Sequence, residues 1–202
     1  MSVWQEVGDG ILIRRYTCLD LTIGAVLGDD GVLLVDTSPS HRQARDLIGD
    51  LTTLTDLPVR WVVNTHYHWD HCWGNALFRT AELWGHQNTR LALLERGEDA
   101  RRLVIDHLPV EHHESVREVE IVAPERTFAG RVSLDIGRAV ELTYHGLGHR
   151  QRADIAAAVD LARAGFEGDL PAVEVDVAGS PFPAEVSRFV VERTYAQLRK
   201  QI

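Results

Sequence analysis

The sequence is poor in cysteine and has no long apolar segment. Its 202 residues contain two cysteines, Cys18 and Cys72, which are too few for a disulfide framework. No apolar run approaches the roughly 20 residues that a membrane-spanning helix requires. The first residues lack both the basic region and the apolar stretch of a signal peptide. We therefore expect a cytoplasmic location and no contact with a membrane.

Acidic residues outnumber basic ones in this chain. Lys and Arg total 21 against 30 Asp and Glu, which gives a formal net charge of −9. Nucleic acids and anionic membranes bind basic surfaces, so this balance argues against both as partners and leaves a small-molecule substrate as the expectation. Since 45% of the residues are hydrophobic and no repeat or linker is visible, residues 1–202 are expected to form a single domain.

Apolar runs bounded by turn residues predict strands that alternate with helices. Helices are expected over residues 40–54 and over residues 88–96, the second of them capped by Asn88. A first set of strands is expected at residues 11–18, 21–27, 32–36, 59–64 and 81–85, and three strands of a second sheet at residues 125–129, 132–136 and 139–144. This order fits two packed sheets with helices on the outside.

The most distinctive segment directly follows the strand predicted at residues 59–64. His66, His68, Asp70 and His71 form the pattern H-x-H-x-D-H. Imidazole and carboxylate ligands together suit zinc, iron or manganese. Residues two apart in an extended chain point the same way, so His66 and His68 can face one ion. Because sheet proteins usually place sites in loops that leave buried strands, the segment predicts a metal centre.

Three segments together resemble the metallo-β-lactamase superfamily, and the resemblance extends from about Gly10 to His149. They are the strand-like residues 31–37 with Asp36, the residues from Asn64 to His71 followed by Trp73-Gly74-Asn75, and a later Leu147-Gly148-His149. The resemblance implies an α/β fold, the αβ/βα sandwich of two mixed sheets flanked by helices, with a shortened second half in this chain.

The resemblance also implies a role for each ligand. His66, His68 and His149 would hold one zinc and leave a fourth position for water. Asp70 would orient the resulting hydroxide, act as a base or bind a second ion, but His71 and Asp70 alone would make a poor second metal site. We therefore expect clearly fewer than two tightly bound ions per chain. Asp36 would support the ligand loop through hydrogen bonds without touching the metal.

Several other residues each have two interpretations. Cys72 follows His71 and could bind a metal, although a small buried thiol is favoured. His86 could hydrogen-bond near the site or pack in the core, and His145 could support the site or simply end a strand. The charged residues 103–120 could be a substrate-covering insertion or an extra metal site, but a solvated helical segment is favoured; their histidines are His107, His112 and His113.

After His149 the sequence departs from the family pattern of two strands, a bridging aspartate and a last histidine. Residues 150–164 are rich in alanine and precede Gly165, so they predict a helix. In one interpretation Asp169 is the bridging aspartate; in the other, the block that holds this aspartate and the last histidine is absent. The second is favoured because no histidine follows His149. Strands missing there would expose a sheet edge, which promotes a homo-oligomer.

Together these features predict a metal-dependent hydrolase. Zinc-bound hydroxide would attack an ester, thioester, lactam or related carbonyl, and the metal would stabilise the developing oxyanion. One alternative is an iron-dependent oxygenase of the same fold. Another is a metal-binding remnant of the fold with impaired catalysis. No residue pattern identifies the substrate.

Overall fold

The computed structural model describes residues 4–144 except residues 17, 18 and 20. Predictions that concern Cys18, His145, His149, Asp169 and the helix at residues 150–164 fall outside the described residues. Within the described range, no helix is both long enough and apolar enough to cross a membrane.

Among the described residues, seven strands form one mixed sheet in which every strand lies beside the next one along the chain. They are β1 Gln5–Gly8, β2 Ile11–Tyr16, β3 Leu21–Leu27, β4 Val32–Val35, β5 Val59–Asn64, β6 Glu82–His86 and β7 Arg126–Phe128. β1 to β4 pair antiparallel, whereas β4 to β7 pair parallel. The predictions for β2 to β6 are confirmed, and β1 is an additional strand that the sequence did not predict.

The strand predicted at residues 125–129 belongs to this first sheet, so its assignment to the second sheet was wrong. β7 pairs parallel with β6, with Trp84 opposite Arg126 and His86 opposite Phe128. Helices connect these two strands, and such a crossover brings the chain back in the same direction. The second sheet of the described residues is an antiparallel hairpin of β8 Arg131–Asp135 and β9 Ala139–Thr143, turning at Gly137 with a φ of 89°.

In the described part of the chain, four α-helices flank the sheets: α1 His41–Thr52, α2 Trp69–Cys72, α3 Gln87–His107 and α4 His113–Arg117. Short 3₁₀ turns follow α2 at Asn75–Phe78 and precede α4 at Val110–His112. The prediction that Asn88 caps α3 was wrong, because the ring of His86 precedes the helix and accepts from the backbone N–H of Asn88 at 3.2 Å. The helix was predicted to end at residue 96, but it continues to His107. Gly97 does not end the helix; its lack of a side chain lets the helix pack closely against Ile121.

The two faces of the seven-stranded sheet bury alternate residues of the same strands, as a period of two requires. On one face, Val32 and Leu34 of β4 lie in a core with α1. On the other face, Leu33 of the same strand packs with Leu134 and Ile136 at the β8–β9 hairpin. The described residues therefore form a mixed α/β fold in which the sheet is covered by a helix on one face and by a second sheet on the other, as predicted.

The parallel arrangement of β4, β5 and β6 brings their carboxyl ends to one edge of the sheet. Asp36 follows β4, Thr65 follows β5, and His86 ends β6. Ligand sites in open α/β sheets lie at this kind of edge. The topology thus brings residues from three separate parts of the sequence to one edge of the sheet.

Candidate metal centre

The histidines of the H-x-H-x-D-H segment lie close together after β5. The rings of His66 and His68 meet edge to face, with centroids 4.5 Å apart. The centroid of His71, on the short helix α2, lies 4.1 Å from that of His66. The structure therefore brings together three of the four histidines predicted as ligands, and the fourth, His149, lies outside the described residues.

Asp36 is the residue that holds this ligand loop in place. It is only 2% exposed, and its carboxylate accepts three hydrogen bonds. Oδ1 accepts from the N–H of Thr65 at 2.8 Å, and Oδ2 accepts from the Thr65 hydroxyl at 2.7 Å and lies 2.7 Å from Nδ1 of His71. The prediction that Asp36 supports the ligand loop by hydrogen bonds is confirmed.

The backbone of Asp36 is also unusual, with a φ of 66° in the left-handed region. Aspartate and asparagine tolerate this region better than most residues other than glycine. Ser38, two residues later, has a φ of 92°. The chain turns sharply at the end of β4, and the turn directs the buried carboxylate towards the loop after β5.

These hydrogen bonds determine which nitrogen of His66 carries the proton. The single hydroxyl hydrogen of Thr65 goes to the carboxylate of Asp36, which has no hydrogen to give. The Thr65 oxygen must then accept from His66 Nδ1, which lies 3.0 Å away. Nε2 is then the unprotonated nitrogen of His66, which is the form in which a histidine nitrogen binds a metal. Sequence reasoning did not identify Thr65 as part of the site, although it directly precedes the first histidine.

His71 lies between two carboxylates. Its Nδ1 faces Asp36, and its Nε2 lies 3.3 Å from Oδ2 of Asp70. Burial lowers the pKa of the His71 imidazole, but its hydrogen bonds with Asp36 and Asp70 outweigh that effect and raise this pKa to about 10. Burial in turn raises the pKa of Asp70, but the hydrogen bond from His71 and the charges of His71 and His68 bring it below its ordinary value. Asp70 is therefore a carboxylate at neutral pH.

One pair of donor atoms, on His71 and Asp70, has the chemistry and the spacing of two zinc ligands. Two ligands at about 2.1 Å from a tetrahedral ion lie roughly 3.4 Å apart. The 3.3 Å between His71 Nε2 and Asp70 Oδ2 is close to that value, so an ion could replace the shared proton. Among the described residues, however, no group of three or more His, Cys, Asp or Glu side chains is placed to hold a metal ion. His66 and His68 therefore need a third ligand from elsewhere in the chain, which is the role predicted for His149.

Cys72 is a buried thiol, as favoured from the sequence. The side chain is 1% exposed, and its Sγ lies 2.9 Å from the carbonyl oxygen of His66, to which it donates. Burial raises the pKa of the Cys72 thiol well above its ordinary value, and the nearby carboxylates of Asp36 and Asp70 act in the same direction. A protonated thiol is a poor metal ligand, because the thiolate is the form that binds.

Three further histidines of the described range have structural surroundings. His86 packs in the core: its ring stacks on Tyr144 at 3.5 Å, and its Nε2 lies 3.0 Å from the carbonyl oxygen of Ala129. His107 and His113 contact backbone carbonyls of their own helical region, at Leu103 and Leu108. The helical interpretation of residues 103–120 is confirmed by α3, α4 and the 3₁₀ turn between them.

Comparison with known proteins agrees with this fold. The family model described as the metallo-beta-lactamase superfamily matches residues 22–151. A metallo-beta-lactamase from Pontibacter korlensis superimposes with a TM-score of 0.52 at 18% identity, over 72% of this chain and 61% of that chain. The solved structure of TMB-1 gives a TM-score of 0.50 at 16% identity, over 72% of this chain and 60% of that one.

This chain thus spans about three-fifths of the length of those two structures. Comparison with curated proteins finds no match. At these identities the two structures establish the fold, whereas the family match covers well over half of the chain. The chain therefore belongs to the metallo-beta-lactamase superfamily.

Proposed function

We propose that this chain is a metal-dependent hydrolase that acts on an ester, thioester, lactam or related carbonyl of a small molecule. Membership of the superfamily supports metal-dependent hydrolysis at the level of the family. The observation that carries the proposal is the pairing of His66 and His68 at the carboxyl edge of the sheet, with the Nε2 of His66 directed by a chain of hydrogen bonds that begins at the buried Asp36.

The proposed ligands of one zinc are His66, His68 and His149. When bound, zinc lowers the pKa of a coordinated water to about 7 and polarises a carbonyl oxygen. Asp70 and His71 offer two further donors, but two protein ligands hold an ion less well than the three or four of ordinary zinc sites. We therefore propose one tightly bound ion and a second that binds weakly.

Asp70 is the proposed catalytic residue. Its carboxylate is ionised at neutral pH because its pKa lies below the ordinary value. It can therefore accept a proton from a water molecule or orient that molecule towards a substrate carbonyl. His71 steadies Asp70 from one side, since its other nitrogen is held by Asp36. The shared hydrogen bonds limit the movement of both groups and keep Asp70 beside the histidine pair.

Metal analysis combined with turnover assays tests this proposal. The full-length protein is loaded with zinc or, separately, with iron, and is assayed on generic ester, thioester and lactam substrates. We expect turnover with zinc and its loss on treatment with a chelator. Oxygen uptake with iron would indicate the alternative oxygenase, and bound metal without any turnover would indicate a remnant of the fold.

The variant His68→Ala tests the ligand assignment, because a three-histidine site falls to two ligands. We expect greatly weakened zinc binding and loss of turnover. The matched control is His112→Ala, which removes an exposed histidine of the 3₁₀ turn before α4. Unchanged zinc content in purified His68→Ala protein would contradict the assignment.

A further inference from the structure

A fully buried amide, that of Asn75, lies behind the ligand loop. Asn75 is 0% exposed and makes four hydrogen bonds. Its Oδ1 accepts from the Thr37 hydroxyl at 2.8 Å and from Nδ2 of Asn64 at 3.1 Å. Its Nδ2 donates to Oδ1 of Asn64 and to the carbonyl of Val122, both at 2.8 Å. Both ends of the amide are fully engaged, so its orientation is fixed.

The same network reaches the backbone of His71. The carbonyl oxygen of His71 accepts from the N–H of Thr37 at 2.8 Å and from Nδ2 of Asn64 at 3.4 Å, and it lies 3.1 Å from the Thr37 hydroxyl, whose single hydrogen goes to Asn75. The side chain of His71 is held by Asp36, the residue before Thr37. Two consecutive residues after β4 therefore hold His71 by its ring and by its carbonyl.

The network joins the two halves of the candidate metal centre. Asn64 is the last residue of β5 and begins the loop that carries His66 and His68. Asp70 and His71 lie on α2, and Asn75 follows α2 in the next turn. The hydrogen bonds between Asn64 and Asn75 therefore connect the two ends of the segment that carries the proposed metal ligands.

Close backbone packing also holds the segment after α2 in place. A Cβ atom at Gly74 would overlap the carbonyl oxygen of Thr37, and the N–H of Gly74 donates to the carbonyl of Ser38 at 3.0 Å. The segment after α2 thus lies directly on the turn after β4. A buried polar group lowers the stability of the fold unless it is hydrogen-bonded. Because every group of this network is bonded in the observed arrangement, the network favours that one arrangement of the backbone around His71.

We propose that Asn75 is a positioning residue of the metal centre. Through Thr37 and Asn64 it fixes the backbone of His71 relative to the pair His66 and His68. This proposal rests on the proposed function, because it assumes that these groups bind zinc. It adds that the affinity for zinc depends on a side chain that makes no contact with the ion.

Zinc affinity, measured by competition with a chelator in full-length protein, tests this proposal. Asn75→Leu removes all four hydrogen bonds and keeps the branched shape of the side chain with a larger volume, and we expect zinc affinity to fall by about 10–100-fold, as for other groups that orient metal ligands. Thr37→Val should lose less affinity in the same direction, and Thr37→Ser, which keeps the hydroxyl, should restore wild-type affinity. The cobalt-substituted Thr37→Val protein should show an altered visible absorption spectrum, because the ligand geometry changes.

The control is Leu47→Ala, which opens a cavity in the core beside α1 and leaves the network intact. It should reduce thermal stability while zinc affinity and the cobalt spectrum stay unchanged. If Thr37→Val and Asn75→Leu behave in the same way as Leu47→Ala, the network has only a structural role and the proposal is wrong. If Asn75→Leu does not fold, the pair Thr37→Val and Thr37→Ser decides.

A measurement on metal-free protein separates this proposal from the proposed function. The N–H of Thr37 donates to His71, so its hydrogen exchange reports how firmly the His71 backbone is held. In Thr37→Ser the exchange of the N–H of residue 37 should stay slow. In Thr37→Val this exchange should accelerate, and by a larger factor than the exchange of the reference N–H of Leu34 in β4. Equal exchange in both variants would overturn the positioning role. Failure of the wild-type protein to bind zinc would refute the proposed function, and the exchange result would then still decide whether His71 is positioned.

Discussion

Replacing Asp36 by asparagine should weaken both the fold and the metal centre. Asparagine has the same shape and also tolerates the left-handed backbone of residue 36, so the change removes the charge without adding strain. If the amide oxygen stays opposite the N–H of Thr65, the amide nitrogen takes the place of Oδ2. That nitrogen then faces the Thr65 hydroxyl and His71 Nδ1, both of which point at Oδ2 in the wild type.

The Thr65 hydroxyl and His71 Nδ1 both donate to Oδ2 in the wild type. Opposite a donor nitrogen each of them must accept instead, and this changes the protons on the rings of His71 and His66. His71 Nδ1 can accept only if its proton lies on Nε2. The Thr65 hydroxyl then turns towards His66 Nδ1, 3.0 Å away, and the proton of His66 moves to Nε2. His66 thereby loses the lone pair that would bind an ion. Because changes to groups that orient metal ligands typically cost 10–100-fold, we expect zinc affinity to fall by about that factor.

Stability should fall as well. A hydrogen bond to a charged group contributes about 1.5–3 kcal/mol, and removal of one partner from a buried charged pair costs about 3–5 kcal/mol. For Asp36→Asn we expect the free energy of unfolding to fall by about 3 kcal/mol. In a chain of this length each kcal/mol lowers Tm by about 2–4 °C, so the expected decrease is about 6–12 °C.

Calorimetry of the metal-free protein and zinc competition with a chelator measure the two effects. The matched control is Asp30→Asn, since the carboxylate of Asp30 pairs with Arg60 at the surface and is 63% exposed. Exposed pairs contribute about 0–1 kcal/mol, so Tm and zinc affinity should stay near the wild-type values. A change in Tm of less than about 2 °C in Asp36→Asn, together with unchanged zinc affinity, would refute the role assigned to Asp36.

Three further predictions concern a buried thiol, two glycines and the number of tightly bound zinc ions. In a Cys18→Ser background, Cys72 should resist thiol reagents in the native protein and react fully only on denaturation. The reason is that the Cys72 thiol is buried and its pKa is raised. Rapid labelling of the native protein would contradict this prediction. Gly74→Ala should destabilise the fold in urea titrations because its Cβ would overlap Thr37, whereas Gly49→Ala in α1, with open space around it, should stabilise by up to about 1 kcal/mol. Equal effects of the two glycine changes would be inconsistent with this close approach. Elemental analysis after dialysis should give clearly fewer than two zinc ions per chain, and two tightly held ions would show that Asp70 and His71 have a further ligand.

The elements around the metal centre were predictable from the sequence because their signals are local. Strand β5 is a short apolar run, and Asn64 to His71 follow it directly, so both the strand and the loop were identified. Burial of Asp36 and its contact with the loop were also anticipated, from the resemblance to the superfamily. Ser40 caps α1 through the N–H of Gln43, as the common preference for serine at this position suggests.

Features that depend on distant contacts were not predictable in the same way. The three-residue strand β7 directly precedes a hairpin, and only its pairing with β6 across a long helical connection assigns it to the first sheet. His86 caps α3 although histidine is not a common capping residue, so Asn88 was the better candidate from the sequence. The bonds of Asn75 to Thr37 and Val122 span 38 and 47 residues, and no local pattern reveals them.

The central claim is that one zinc ion is held by His66 and His68 with His149. Anomalous diffraction at the zinc absorption edge, from crystals of the zinc-loaded full-length protein, tests it most directly. We expect one strong peak about 2.0–2.1 Å from a ring nitrogen of each of the three histidines. A strong peak elsewhere on the chain, or none beside His66 and His68, would contradict it.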